Sequence, residues 1–285
     1  MARAHRSLLV SFALLSLPLA AAAQQEEIVR TFPAPSGTVM EVRNQTGRVV
    51  VESWNEPQVK VIAVRHSRAV EVHFEQAANA KQIHVHTHLV QSSAAASERT
   101  VDYTLWAPPD VQLKITLDSG NLQVADFRED VTIETVAANV LLRNLSGYTS
   151  VKTLNGSVQV ESSSGRLEVT SISGNLSFRD LDTRYLVANT TSGDISYEGD
   201  FRSGGSYDFR NHDGAIEVWA PATASFELTA NSVRGEVTSE FPLNRRSHGS
   251  VPQSAGARSL LGTVHSGEAL VSLTSFSGRI RLRKR

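Results

Sequence analysis

The chain has no cysteine. No disulfide framework holds it and no cysteine-linked lipid anchors it, so an exported protein of this size must rely on packing and backbone hydrogen bonds. Aromatic residues make up only 6 % of the sequence and charged residues 20 %. The charges almost cancel, to a formal net of −1, which gives no long-range attraction to nucleic acid or to an anionic bilayer. Past the first residues, no hydrophobic segment is long enough to cross a membrane. What is plentiful is valine, serine, threonine and glycine, in a chain of 285 residues that is 40 % apolar. That mixture supports a large core and tilts the expectation toward β-structure.

The opening residues, MARAHRSLLVSFALLSLPLAAAAQ, place Arg3 and Arg6 before an apolar run over 8–20 that contains Pro18. Small residues at 21–23 complete the pattern of a secretory signal peptide, with cleavage expected after Ala23. The run is too short to serve comfortably as an anchor. Removing two arginines takes the net charge to −3. The expected address is exported, periplasmic or released, with no transmembrane segment in the mature chain.

One pattern then recurs. Gly47, Gly120, Gly147, Gly156, Gly165, Gly174, Gly193, Gly214, Gly235 and Gly278 each precede apolar residues at alternate positions, as in Gly156-Ser-Val158-Gln-Val160. Asn139 takes a glycine's place before Leu141 in this reading. Period-two alternation means strands with one buried face, and Ser-Gly, Asn-Gly and Asp-Gly pairs mean tight turns that use glycine's access to positive φ. The interval is nine residues from Gly147 to Gly174, then 19, 21 and 21 to Gly193, Gly214 and Gly235. Two architectures fit: an antiparallel sandwich or meander, and a β-solenoid of stacked two-strand coils of about 18–21 residues. The fixed period favours the all-β solenoid, with about six coils between Gly120 and Gly235 spanning on the order of 29 Å.

The expected organisation is a signal peptide over 1–23, an N-terminal β-sheet or cap region over 24–110, and a repetitive solenoid over 111–285 with a loop insertion at 244–259, with 24–285 forming one continuous domain. Residues 75–82, EQAANAKQ, read as a short helical turn, and 91–98 as a loop. The last strand sets Ile280 and Leu282 on one face and Arg279, Arg281 and Arg283 on the other, a charged edge expected to discourage further stacking.

Few residue groups suggest chemistry. His84, His86 and His88 in HVHTH share one face of a strand, and two strand histidines at this spacing can converge on a metal ion. The competing reading is a solvated face opposite Ile83, Val85 and Leu89; His66 and His73 are further ligands only if the fold brings them near. Asp118, Asp194 and Asp213 near turns fit turn chemistry better than calcium, because the aspartate position is not constant across the repeats. Asp180 and Asp182 are a close carboxylate pair, but glycosidic cleavage needs a clustered set. Trp54 reads as closing the strand before Asn55-Glu-Pro57, and the Asn-x-Ser/Thr triplets, Asn44 among them, read as by-products of turn composition. No nucleophile elbow, zinc-protease motif or phosphate loop is present.

In their serial order, MEVRNQTGRVVVESW, TLDSGNLQV, TLNGSVQV, SSSGRLEV, SISGNLSF, NTTSGDISY and TSFSGRIRL resemble the bacterial candidate-adhesin domains of unknown function (domain of unknown function 4097), over about residues 38–283. The resemblance implies an envelope-located or secreted β-solenoid without established catalysis. HVHTH and the 244–259 insertion stand outside the recurring pattern. The resulting expectation is an exported, non-enzymatic protein without cofactor or catalytic residues, an adhesin-like binding surface or structural scaffold facing envelope glycans or proteins and not nucleic acid. Two alternatives stay open: a polysaccharide-acting envelope enzyme on a β-helix, and a metal-binding sensor using His84, His86 and His88.

Overall fold

Alternation along the chain becomes strand almost everywhere. A computed structural model describes residues 25–244 and 257–285. The expected signal peptide with Ala23, and residues 245–256 of the expected insertion, lie outside the described residues. Among those described there are 21 strands, one 3-10 turn at Ala96–Arg99 and no α-helix.

The first strands form a cap. β1 (Glu26–Pro33), β3 (Gln58–Arg65) and β4 (Val70–Gln76) pair antiparallel, while β2 (Val39–Ser53), β5 (Gln82–Leu89) and β6 (Val101–Ala107) run parallel. β5 joins the first half of β2 and β6 the second half, so β5 and β6 together make the layer below β2. On the other side of β2 lies β7 (Gln112–Ala125), paired in parallel from Val39↔Gln112 to Glu52↔Ala125. Residues 77–81 close the β4–β5 hairpin, with Ala77 N–H donating to Gln82 C=O at 2.9 Å. The helical turn expected there is therefore a hairpin turn, because β4 and β5 are long enough to pair through it.

From β7 the coils climb. β8 (Val131–Arg143) stacks on β7, then β9 (Tyr148–Asn155) with β10 (Val158–Glu161), β11 (Ser164–Ser171) with β12 (Leu176–Arg179), β13 (Asp182–Thr190) with β14 (Ile195–Glu198), and β15 (Ser206–Asn211) with β16 (Ile216–Ala220). All these pairings are parallel, and apart from a register shift at Gly165/Arg166 between β11 and β13 the register is unbroken, as in Val140↔Val158↔Leu176↔Ile195↔Ile216. The chain coils around a common axis instead of zigzagging between neighbours.

Sequence order then breaks. β17 (Phe226–Ser232) and β18 (Val237–Ser239) do not stack on β15 and β16. The final strands β20 (Ala269–Ser275) and β21 (Ile280–Lys284) occupy that position, and β17 and β18 lie beyond them. β19 (Ser259–Val264) caps β17 antiparallel. The arginine-bearing last strand is thus internal, between β16 and β18, and not a stacking-averse edge. Its charge is absorbed sideways, with Arg281 Nη1 2.8 Å from Glu217 Oε1. The same interleaving occurs at the other end, where β2 sits between the later β5/β6 layer and β7. The parallel stack therefore has ten layers, about 43 Å at the usual strand spacing.

Inward side chains from Ala34 to Leu282 form one hydrophobic core, with Tyr103, Tyr197, Tyr207, Phe127, Phe178, Phe209, Phe226 and Phe241 among its largest members. The corner glycines sort into two columns. Gly47, Gly120, Gly156, Gly174, Gly193, Gly214, Gly278 and Gly235 follow one another up one corner, and Gly147 and Gly165 belong to the other. At Gly174, Gly193, Gly278 and Gly235 the backbone is not left-handed; a Cβ there would instead collide with the carbonyl oxygen of a glycine in the adjoining layer. Ala138, not Asn139, occupies the column in the β8 layer, directly opposite Gly120. Three residues before these corners a buried polar side chain recurs: Asn44, Thr135, Thr153, Ser171, Thr190, Asn211, Ser232 and Ser275. Ser171 Oγ accepts the N–H of Gly174, and Ser275 Oγ that of Gly278, each at 2.8 Å. Ser232 accepts from Gly235 N–H at 2.9 Å and donates to Gly278 C=O at 2.8 Å.

Candidate functional site

In-register stacking turns each outward position into a row of side chains about 4.8 Å apart. The row just after the corner reads Arg48, Asn121, Asn139, Ser157, Asn175 and Asp194 up the coils. Its members fix one another: Asn139 Oδ1 accepts from Ser157 N–H at 3.2 Å and from its Oγ–H at 2.8 Å, Asn175 Oδ1 from Asp194 N–H at 2.9 Å, and Asp194 Oδ1 from Ala215 N–H at 2.7 Å. Beside this row, Gln123, Leu141 and Gln159 form the next outward row. The two rows line a groove of about 200 Å³ from Arg48 to Ser157. Amides and hydroxyls on a rigid ladder, next to an aliphatic surface, suit hydrogen bonding to a neutral polar ligand; the residues lining the groove include no nucleophile–base pair.

The N-terminal cap carries the histidines. β5 presents His84, His86 and His88 outward, and β4 presents Glu75, His73 and Glu71 directly opposite them. His73 stacks on His86, with centroids 5.3 Å apart, and meets His88 edge-on at 5.9 Å. His84 turns the other way, its Nδ1 3.1 Å from Glu41 Oε2. A hollow of about 380 Å³ opens there, lined by Glu41, Arg43, Glu75, His84 and His86. His66 lies elsewhere, 2.8 Å from Asp102. The fold thus brings His86 and His88 together with His73, while His84 engages Glu41 in the hollow that it shares with His86. That partnership depends on the β4–β5 register, which a strand motif alone does not specify.

Two further outward arrays are ionic. Arg143, Glu161, Arg179 and Glu198 alternate in sign across four successive layers, and Arg285, from two layers further on, continues the alternation, with contacts of 3.0, 3.7, 3.4 and 3.5 Å. Hydrogen bonding from Arg143 holds the Glu161 carboxyl below its ordinary range. Arg166 lies 3.9 Å over the Tyr185 ring and 5.9 Å from that of Tyr148, and its guanidinium holds Glu168 low in the same way.

The remaining candidates take structural parts. Asp194 caps the next coil. Asp213 accepts from Ser277 and His212, the serine first in keeping its carboxyl low. Asp118 is exposed, and it lies within β7 and not at a turn. Asp180 pairs with Arg285 at 3.2 Å and Asp182 with Arg202, so these neighbours in sequence point at different cations. A general acid near neutral pH needs a raised carboxyl; Glu161, Glu168 and Asp213 are shifted the opposite way. Trp54 donates to Gln58 C=O at 2.7 Å and closes its turn. Asn44, in one of the glycosylation-like triplets, is buried and donates to Val101 C=O at 2.8 Å.

The interval, the corner columns and the two-strand coils agree with a family profile that matches residues 40–283, most of the chain. The chain belongs to the Toastrack DUF4097 family. A crystal structure of a candidate adhesin from Bacteroides fragilis is similar to this Toastrack chain at a TM-score of 0.52 and 11 % identity, over 92 % of this chain and 99 % of that one. A candidate cell adhesion protein from Clostridium sporogenes aligns over 92 % of this chain and 100 % of its own at 10 % identity, with a TM-score of 0.31. At such identity the Bacteroides likeness speaks to the Toastrack fold alone. Comparison with curated proteins finds no match. No helix among the described residues is long and apolar enough to cross a membrane.

Proposed function

We propose that this Toastrack protein is an exported, non-enzymatic component of the bacterial envelope that acts as a stiff binding scaffold. The observation that carries the reading is the groove between the Arg48–Asn121–Asn139–Ser157 row and the Gln123–Leu141–Gln159 row. Polar groups held at a regular spacing by the backbone lose little conformational freedom on binding, which favours many weak contacts to a repeating ligand. Envelope glycans, with hydroxyls along a chain, match that chemistry. The adhesin name given to the Bacteroides neighbour accords with it, as does a leader ending in Ala21-Ala22-Ala23.

The test is a screen of the protein against envelope polysaccharides and extracellular matrix proteins, repeated with an N121A/N139A/Q123A/Q159A variant. Saturable glycan binding that the variant loses supports the groove. Binding that persists in the variant removes the groove from the proposal, and silence across the whole screen leaves a purely structural scaffold.

A further inference from the structure

We propose that Glu71, His73, His86 and His88 form a site for a borderline divalent cation of the zinc class. The inference is independent of the glycan-binding reading. Antiparallel pairing of β4 and β5 sets Glu71 opposite His88 and His73 opposite His86. Period two turns all four to the outer face, so they stand at the corners of a square. Beneath them the hairpin is anchored: Val70, Ile83 and Val85 are fully buried, and Phe74 packs 6.2 Å from Phe32. The square therefore rests on fixed backbone.

The spacing fits an ion. Zinc–imidazole bonds run about 2.0–2.1 Å, and tetrahedral geometry then places the centroids of two bound rings about 5 Å apart. The His73 ring is 5.3 Å from His86 and 5.9 Å from His88. Glu71 Oε2 lies 3.5 Å from His73 Nε2, within reach as a fourth ligand or as the carboxylate that orients that ring. As the side chains stand, no three donors converge on one point among the described residues, and His73 and His86 lie parallel to within 11°. Capture of an ion turns these rings out of their stack. The His73 and Glu71 side chains are 46 % and 55 % exposed, so that rotation displaces no core packing. Neutral imidazole favours zinc and copper over calcium and magnesium. His84, on the same strand face but bound to Glu41, is excluded from the site.

The test is calorimetric titration of the untagged full chain with zinc chloride, beside H73A, H88A, H84A and E71Q, with calcium chloride as the control ion. Far-UV circular dichroism verifies that each variant keeps its strands. The expected result is one zinc per chain, weakened at least about tenfold by H73A or H88A, within twofold of wild type in H84A, and no calcium binding. E71Q with zinc affinity between those of H84A and H73A accords with an orienting carboxylate. No zinc binding by the wild type, H73A binding as tightly as the wild type, or loss of binding confined to H84A would each overturn the site.

Discussion

Gly174 gives the sharpest test of how the coils are held at their shared corner. Its backbone is not in the left-handed region, so a turn-based argument predicts that alanine is tolerated. The stacking argument predicts the reverse. An alanine Cβ at 174 would run into the carbonyl oxygen of Gly156 and lie 2.8 Å from Ser171 Oγ. Neither can yield: the Gly156 carbonyl is fixed by the layers on both sides, and Ser171 is already bonded to Gly174 N–H. Overpacking of this kind costs about 1–3 kcal/mol in an ordinary core, and a contact against immobile backbone belongs at or above the top of that range. For a domain of this size, about 3 kcal/mol lowers the melting temperature by roughly 6–12 °C. Gly204 is the control. Its φ of +72° is left-handed, but a Cβ there meets open space, so G204A should cost only the strain of that conformation, about 1–2 kcal/mol. Thermal and urea melts followed by circular dichroism measure both. G174A melting within a degree of wild type would refute the idea that carbonyl contact between layers dictates glycine here.

Three further outcomes follow from the same geometry. S232A removes one acceptor and one donor from a buried position, stranding Gly235 N–H and Gly278 C=O; the expected loss is about 1–3 kcal/mol by urea melt, and an unchanged midpoint would contradict it. In E161Q the ladder from Arg143 to Arg285 loses one of its two anions, at a cost of about 1 kcal/mol or less at neutral pH and low salt. Because the folded carboxyl is held below its unfolded value, the wild-type advantage is present above about pH 4.3 and disappears as pH falls below it; melts that differ equally at pH 7 and pH 3 would count against the ladder. N-terminal sequencing of protein recovered from an exporting bacterium should begin at Gln24, and a start at any upstream residue would remove the proposed cleavage after Ala23.

The coil rhythm is legible in the sequence because burial leaves a strict mark. Leu122 and Val124, Val158 and Val160, and Leu176 and Phe178 alternate inward, and the 18-residue offsets Val140↔Val158 and Val158↔Leu176 repeat that mark in space. The corner is only half legible. Attributing its glycines to positive φ alone points to Asn139, whereas the column selects for a small residue beneath a carbonyl and Ala138 satisfies it. The buried serine or threonine three residues earlier is visible in Ser171-Ile-Ser-Gly174, Thr190-Thr-Ser-Gly193 and Ser275-Phe-Ser-Gly278, a signal of hydrogen bonding that glycine spacing alone does not reveal. The position of β20 and β21 is not legible. Every coil carries the same pattern, so the 21-residue step from Gly214 to Gly235 looks like the steps before it, although β20 and β21 separate those two coils. Likewise, nothing within HVHTH points to His73; only the hairpin register does.

The crossed order of the last coils has a mechanical consequence. β20 and β21 are wedged between two layers made earlier, so those layers cannot seal before the chain's final strands are in place. Tension applied at Arg285 would draw out an inner slat and sever the rack there, whereas a solenoid wound in simple sequence would unravel from its end. Lengthening such a rack by copying its last coil would place the copy inside the stack, where both faces are already taken.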